Sequence, residues 1–149
     1  MLPEKLDKDT LSLEEELKKA NSFEAFASSM DNSFLSVEVG RDLTALIKRA
    51  KIKKNKLCLE ADIHENYCYQ IMTGKRYPRR EVLLSIFLAL RLSYEEANEF
   101  LRNHGYSPLY IRRKFDAAVI YSLVHHWSVI QCNELLEKNG LPPLKKEAT

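Results

Sequence analysis

The chain has 149 residues and a mass of 17.3 kDa, enough for one domain with a substantial hydrophobic core. At 45% apolar and 30% charged it fits neither a disordered nor a fibrous protein, and only 4 Gly and 5 Pro argue against hairpin-rich β folds. No apolar run approaches the about eighteen residues of a membrane span, so a soluble protein without membrane contact is expected. The formal charge, 23 minus 21 or +2, hides a segregation. Residues 1–40 carry 4 basic and 9 acidic side chains (net −5), residues 41–80 carry 11 and 4 (net +7), and residues 81–149 carry 8 and 8 (net 0). A basic block inside periodic apolar sequence is the electrostatic footprint of a polyanion partner.

In chain order, Thr10 or Ser12 can cap a short acidic helix reaching Lys19, and Ser22 can cap another that carries Phe23 and Phe26. A polar break, Ser28-Ser29-Met30-Asp31-Asn32-Ser33, closes this acidic arm, taken as residues 1–35. Ser36 is expected to open a stronger helix with Val39, Leu43, Leu46, Ile47 and Ala50 on its apolar stripe and Arg41, Lys48, Arg49 and Lys51 off it. A short helix from about Lys54 to Ala61 buries Leu57, Cys58 and Ala61, and Asp62-Ile63-His64 makes a tight connection to a helix from Glu65 to Thr73. At about 100° per residue, Glu65, Asn66, Tyr69, Gln70 and Thr73 share one polar arc of that helix, while Tyr67, Cys68, Ile71 and Met72 share the opposite, apolar one. Gly74 is placed to end it, and Lys75-Arg76-Tyr77-Pro78-Arg79-Arg80 leads into a helix from about Arg79 to Leu90 with Val82, Leu83, Ile86, Phe87 and Leu90 in the core.

The remainder contains an internal repeat. LSYEEANEFLRNHGYSPL (92–109) aligns without gaps on WSVIQCNELLEKNGLPPL (127–144), and seven of eighteen pairs are identical: Ser93/Ser128, Asn98/Asn133, Glu99/Glu134, Leu101/Leu136, Gly105/Gly140, Pro108/Pro143 and Leu109/Leu144. Each copy opens with a capping-box signature, Ser93 with Glu96 and Ser128 with Gln131, and closes with Gly then Pro. A helix precedes each copy, 79–90 and 113–126, so a helix pair is used twice. Two units are too few for a solenoid, and a globular helical extension over 92–149 is expected instead. Tyr106, Tyr110, Phe115 and Trp127 are expected in its core, with a dimer interface as the alternative. Cys58, Cys68 and Cys132, odd in number and without C-x-x-C spacing, are expected as free buried thiols in a reducing cytoplasm. The acidic N-terminus lacks the pattern of a secretory signal, which agrees with a cytoplasmic location.

The stretch 43–90, and above all YCYQIMTGKRYP (67–78), resembles the Cro/phage-repressor, or XRE-like, helix-turn-helix family of bacterial DNA-binding regulators. Members often have Gly where Asp62 stands and Ala where Cys58 stands; Asp tolerates a left-handed backbone and Cys is small, so both substitutions are physically permissible. The resemblance implies an all-α fold, a lambda-repressor-like helix-turn-helix bundle over 36–91 extended by the two helix-pair units. It also implies that the second motif helix lies in the major groove of double-stranded DNA while the first crosses the backbone. Base readout would then fall to Glu65, Asn66, Tyr69, Gln70 and Thr73, with Asn66 and Gln70 suited to bidentate adenine contacts. Glu65 can instead act as a favourable charge at the helix N-terminus. Lys53, Lys54, His64, Lys75, Arg76, Arg79 and Arg80 would contact phosphates and set the register.

Regulators of this kind read two half-sites as dimers, so a homodimer is expected, formed by the arm or by the C-terminal helices. The alternative is a protein-interaction adaptor that keeps the fold without binding DNA. His125-His126 beside Trp127 reads as a surface pair, since adjacent helical residues diverge by about 100° and no ligand set accompanies them. No phosphate-loop, dinucleotide or nucleophile-elbow motif is present, so neither an enzyme nor a cofactor or metal is expected.

Overall fold

The structure is a computed structural model that describes residues 10–30 and 38–144. The chain divides into two compact units, 1–36 and 37–149. In the first, α1 (Thr10–Lys19) packs on α2 (Phe23–Met30). The Ala25 N–H donates to Ser22 Oγ at 3.0 Å, the expected cap. α2 runs on through Ser28 and Ser29, which were expected in the polar break; Ser29 Oγ donates to the Phe26 carbonyl at 2.8 Å and so satisfies its hydroxyl within the helix. Asp31, Asn32, Ser33 and Ser36 lie outside the described residues.

The second unit contains α3 (Val39–Ala50), α4 (Lys54–Glu60), α5 (Glu65–Met72), α6 (Arg80–Leu90), α7 (Tyr94–Asn103), α8 (Lys114–Val124) and α9 (Val129–Lys138). The described residues form helices and no strand, so the fold is all-α. α3 starts at Val39 with Glu38 as its N-cap residue. Val39, Leu43 and Ile47 are buried, but Ala50 is exposed: the helix ends there and Lys51 turns left-handed at φ 58°.

One hydrophobic cluster runs from α3 to α9, with α6 as its axis. Every residue from Val82 to Leu88 is buried, beyond the single stripe expected, because α6 meets α3 and α4 as well as α8 and α9. A helix that is apolar all round belongs in the interior of a bundle. Among the described residues no helix is long and apolar enough to cross a membrane.

The repeat is structural as well as textual. Ser93 and Ser128 each accept from the N–H three residues on, and Glu96 and Gln131 each accept from the backbone N–H of their serine, which makes two complete capping boxes. Leu101 and Leu136 are fully buried, and Gly105 and Gly140 both take positive φ, 82° and 72°. The Leu109 N–H donates to Asn98 Oδ1 at 2.7 Å and the Leu144 N–H to Asn133 Oδ1 at 2.8 Å. The correspondence extends upstream, where Leu88 and Leu123 also match. Arg91 and His126 end α6 and the turn after α8 with left-handed φ of 56° and 54°, and Leu92 and Trp127 donate to the carbonyls of Phe87 and Ser122. Arg91 Nη1 also donates to the His126 carbonyl at 3.2 Å, so one copy holds the equivalent position of the other.

Tyr106 and Phe115 pack against the core as expected. Tyr110 does not: it is exposed, with Arg113 over its ring. Trp127 is half-buried, edge-on to Tyr121 with centroids 5.2 Å apart.

Candidate nucleic-acid interface

α4 begins among lysines. Lys53 is its N-cap residue in extended conformation, Lys54 and Lys56 lie in its first turn, and all three are exposed. Leu57, Cys58 and Ala61 turn inward as their spacing predicts. The connection to α5 depends on Asp62, whose φ of 59° lies in the left-handed region. A short polar side chain tolerates that region at less cost than a branched or bulky one. The reversal lets the Ile63 N–H reach the Cys58 carbonyl at 3.0 Å and buries Ile63 between the helices.

His64 caps α5: the Asn66 N–H donates to its Nδ1 at 3.2 Å. Nδ1 is taken up by this cap, and His64 is exposed at the helix start. Glu65 is exposed in the first turn, where its charge suits the positive end of the helix, although the side-chain cap is made by His64. The two faces divide as the wheel predicts. Tyr67, Cys68, Ile71 and Met72 are buried; Glu65, Asn66, Tyr69 and Thr73 are exposed and Gln70 is half-exposed.

The helix ends in a Schellman arrangement. Gly74 takes φ 87°, and the N–H groups of Lys75 and Arg76 both donate to the Gln70 carbonyl, at 2.9 and 3.1 Å. Lys75, Arg76 and Arg79 are exposed, with the Arg76 guanidinium 5.3 Å from the Tyr67 ring centroid. This basic loop is held from behind by the first repeat copy. Tyr77 stacks on Tyr106 with centroids 5.4 Å apart and donates to the His104 carbonyl at 2.7 Å, while the Tyr106 hydroxyl donates to the Pro78 carbonyl. Burial, and next the Tyr77 hydroxyl, push the Tyr106 phenol far above its ordinary range, so it stays a donor.

Arg80 departs from its expected role at phosphate. Its Nε donates to the Ser107 carbonyl, Nη1 to Asp116 Oδ1, and Nη2 to both Asp116 Oδ2 and the Pro108 carbonyl. Asp116 is almost wholly buried and also accepts from the Tyr110 N–H at 2.9 Å. Four of the five guanidinium N–H groups thus face into the protein, and the charge is neutralised there.

Two features behind α5 were not read from the sequence. A Cβ on Gly40 would come within 2.5 Å of the Ile71 carbonyl oxygen and 2.7 Å of that of Met72, so α3 crosses the end of α5 at the one residue small enough to allow it. The Cys58 and Cys68 sulfurs are bonded to each other, joining α4 to α5. The expectation of three free thiols therefore holds for Cys132 alone. Ten residues separate the pair in sequence, but the turn brings their Cα atoms to 6.1 Å, inside the range a disulfide spans.

Among the described residues no group of three or more His, Cys, Asp or Glu gathers where a metal could be held. No protein-family model matches the chain, and no curated protein or solved structure is significantly similar to it.

Proposed function

We propose that the chain is a sequence-specific double-stranded DNA-binding regulator of the XRE-like helix-turn-helix type, in which α4 crosses the phosphate backbone and α5 enters the major groove. The observation that carries this reading is the exposed face of α5. Asn66, Tyr69, Gln70 and Thr73 stand free of the core, with exposed bases before α4 and after α5. Asn66 and Gln70 offer amides to adenine, and Lys53, Lys54, His64, Lys75, Arg76 and Arg79 surround them as phosphate donors. Arg80 is left out of this set because its donors are committed to Asp116 and to two carbonyls. The protein would act as a bacterial, cytoplasmic, repressor-like homodimer.

Binding to random duplex DNA should weaken steeply with salt, with a log–log slope near −0.9 for each phosphate neutralised. A folded protein that shows no binding even at about 50 mM salt would overturn the reading. Gln70→Ala should relax preference at one base position of a selected site, whereas Lys75→Ala should weaken all sequences about equally.

One observation favours the adaptor reading. Exposed Tyr121 and His125 form an aromatic cluster with half-buried Trp127 at the turn between α8 and α9, and Val124 and Ile130 of the same helices are also exposed. Sedimentation of the isolated protein separates the two readings here: a dimer lost on Ile130→Glu fits the regulator, and a monomer fits the adaptor.

A further inference from the structure

We propose that the Cys58–Cys68 bridge is a redox switch that sets the position of the exposed face of α5. Its consequence for DNA rests on the function proposed above. The bond ties the middle of α4 to the middle of α5, and both residues sit in the core, 6% and 0% exposed. Their neighbours in sequence and on the helix, Leu57, Ala61 and Ile71, have no exposed surface at all. Two separate thiols need more room than one bridge, because non-bonded atoms keep about 3.5–4.0 Å apart. A close-packed interior does not absorb that increase locally.

The C-terminal end of α5 cannot yield, since the backbone of Ile71 and Met72 lies directly against Gly40. The N-terminal half, with Glu65, Asn66 and Tyr69 on its outer face, is held by the bridge, by the short turn at Asp62 and by the buried side chains of Ile63 and Tyr67. Opening the bridge therefore swings that half away from α4. In the bridged state α5 is set for groove reading, and reduction takes its first turn out of register.

The chemistry balances with an external dithiol as reductant. A thiolate of the reductant attacks the Sγ of Cys58, the less enclosed of the two residues, and the Sγ–Sγ bond breaks with Cys68 leaving as thiolate. The second reductant thiol then displaces Cys58. Two electrons and two protons end on the protein as two thiols, and the reductant becomes a disulfide. Cys132 does not compete, because burial raises its thiol's pKa and leaves little thiolate.

The test is hydrogen exchange of the full chain with and without dithiothreitol, paired with binding to duplexes selected from a random pool. Reduction should speed exchange of the amides from Cys68 to Gln70, and lower affinity for the selected site about tenfold, the loss of one good base contact. The double variant Cys58→Ala with Cys68→Ala should show one affinity whatever the reductant. Unchanged α5 exchange on reduction of the wild-type protein overturns the switch, as does equal affinity of the two forms for a selected site. If exchange changes but neither form binds any duplex, the switch stands and the DNA-binding reading falls.

Discussion

Asn98 is the smallest part on which much of the extension depends. Its amide makes both bonds to Leu109, accepting from the N–H at 2.7 Å and donating to the carbonyl at 3.3 Å, in a buried setting. Asn98→Ala strands both backbone groups and should cost about 1–3 kcal/mol in urea unfolding. Asn133→Ala removes a single bond from a less buried site and should cost less. The sequence already shows that these two asparagines matter, since they survive in both copies, but not what they do, because their partners lie eleven residues away across a turn. Glu96 makes a second comparison inside the molecule. The Ser93 backbone N–H, and with it Arg49, hold its carboxyl below the ordinary value of 4.5 against the opposing effect of burial. A group depressed on folding stabilises the protein above its unfolded pKa, and that contribution drains away as pH falls towards the folded value. Its counterpart Gln131 makes the same cap without a charge. Glu96→Gln should therefore flatten the decline of stability as pH falls below the ordinary value of 4.5, as read by denaturant titration.

Helix faces were the most legible features, because a 3.6-residue period acts on side chains that the sequence displays directly. The division of α5 and the inward set of α4 match the observed burial residue by residue. Close approach of backbone to backbone leaves no such trace. Gly40 reads as one more residue on α3, yet Gly40→Ala would drive a methyl into two carbonyl oxygens of α5. That variant should lose about 1–3 kcal/mol and lose base preference together, measurable by thermal melting and by binding to a selected duplex. Chirality of the backbone was half legible. Asp62 was marked by its place in the turn, but the residue type at Arg91 carries no signal for φ above zero. His126 is exposed, so His126→Gly should raise stability by about 0.5–1 kcal/mol by removing the left-handed penalty.

At the scale of the whole molecule, charge segregation was legible, but the use made of each charge was not. Arg80 belongs to the basic block by sequence and to a buried ion pair by structure, because its partner Asp116 lies thirty-six residues on. A separation of 27 residues likewise conceals the link from Tyr77 to His104, beside Tyr106. Nor does the sequence reveal the Cys58–Cys68 bond, since cysteine spacing alone gives no geometry until the turn at Asp62 is built.

The Arg80–Asp116 pair has a consequence for how the protein comes into being. A chain stopped after Leu90 would lack Asp116, and α6, buried from Val82 to Leu88, would lose its packing against α8 and α9. The helices that carry the proposed reading face and those that carry the repeat share one hydrophobic core. A fragment stopped at Leu90 should therefore show less helix and a lower melting temperature by circular dichroism than the 37–149 unit, whose helices share one core.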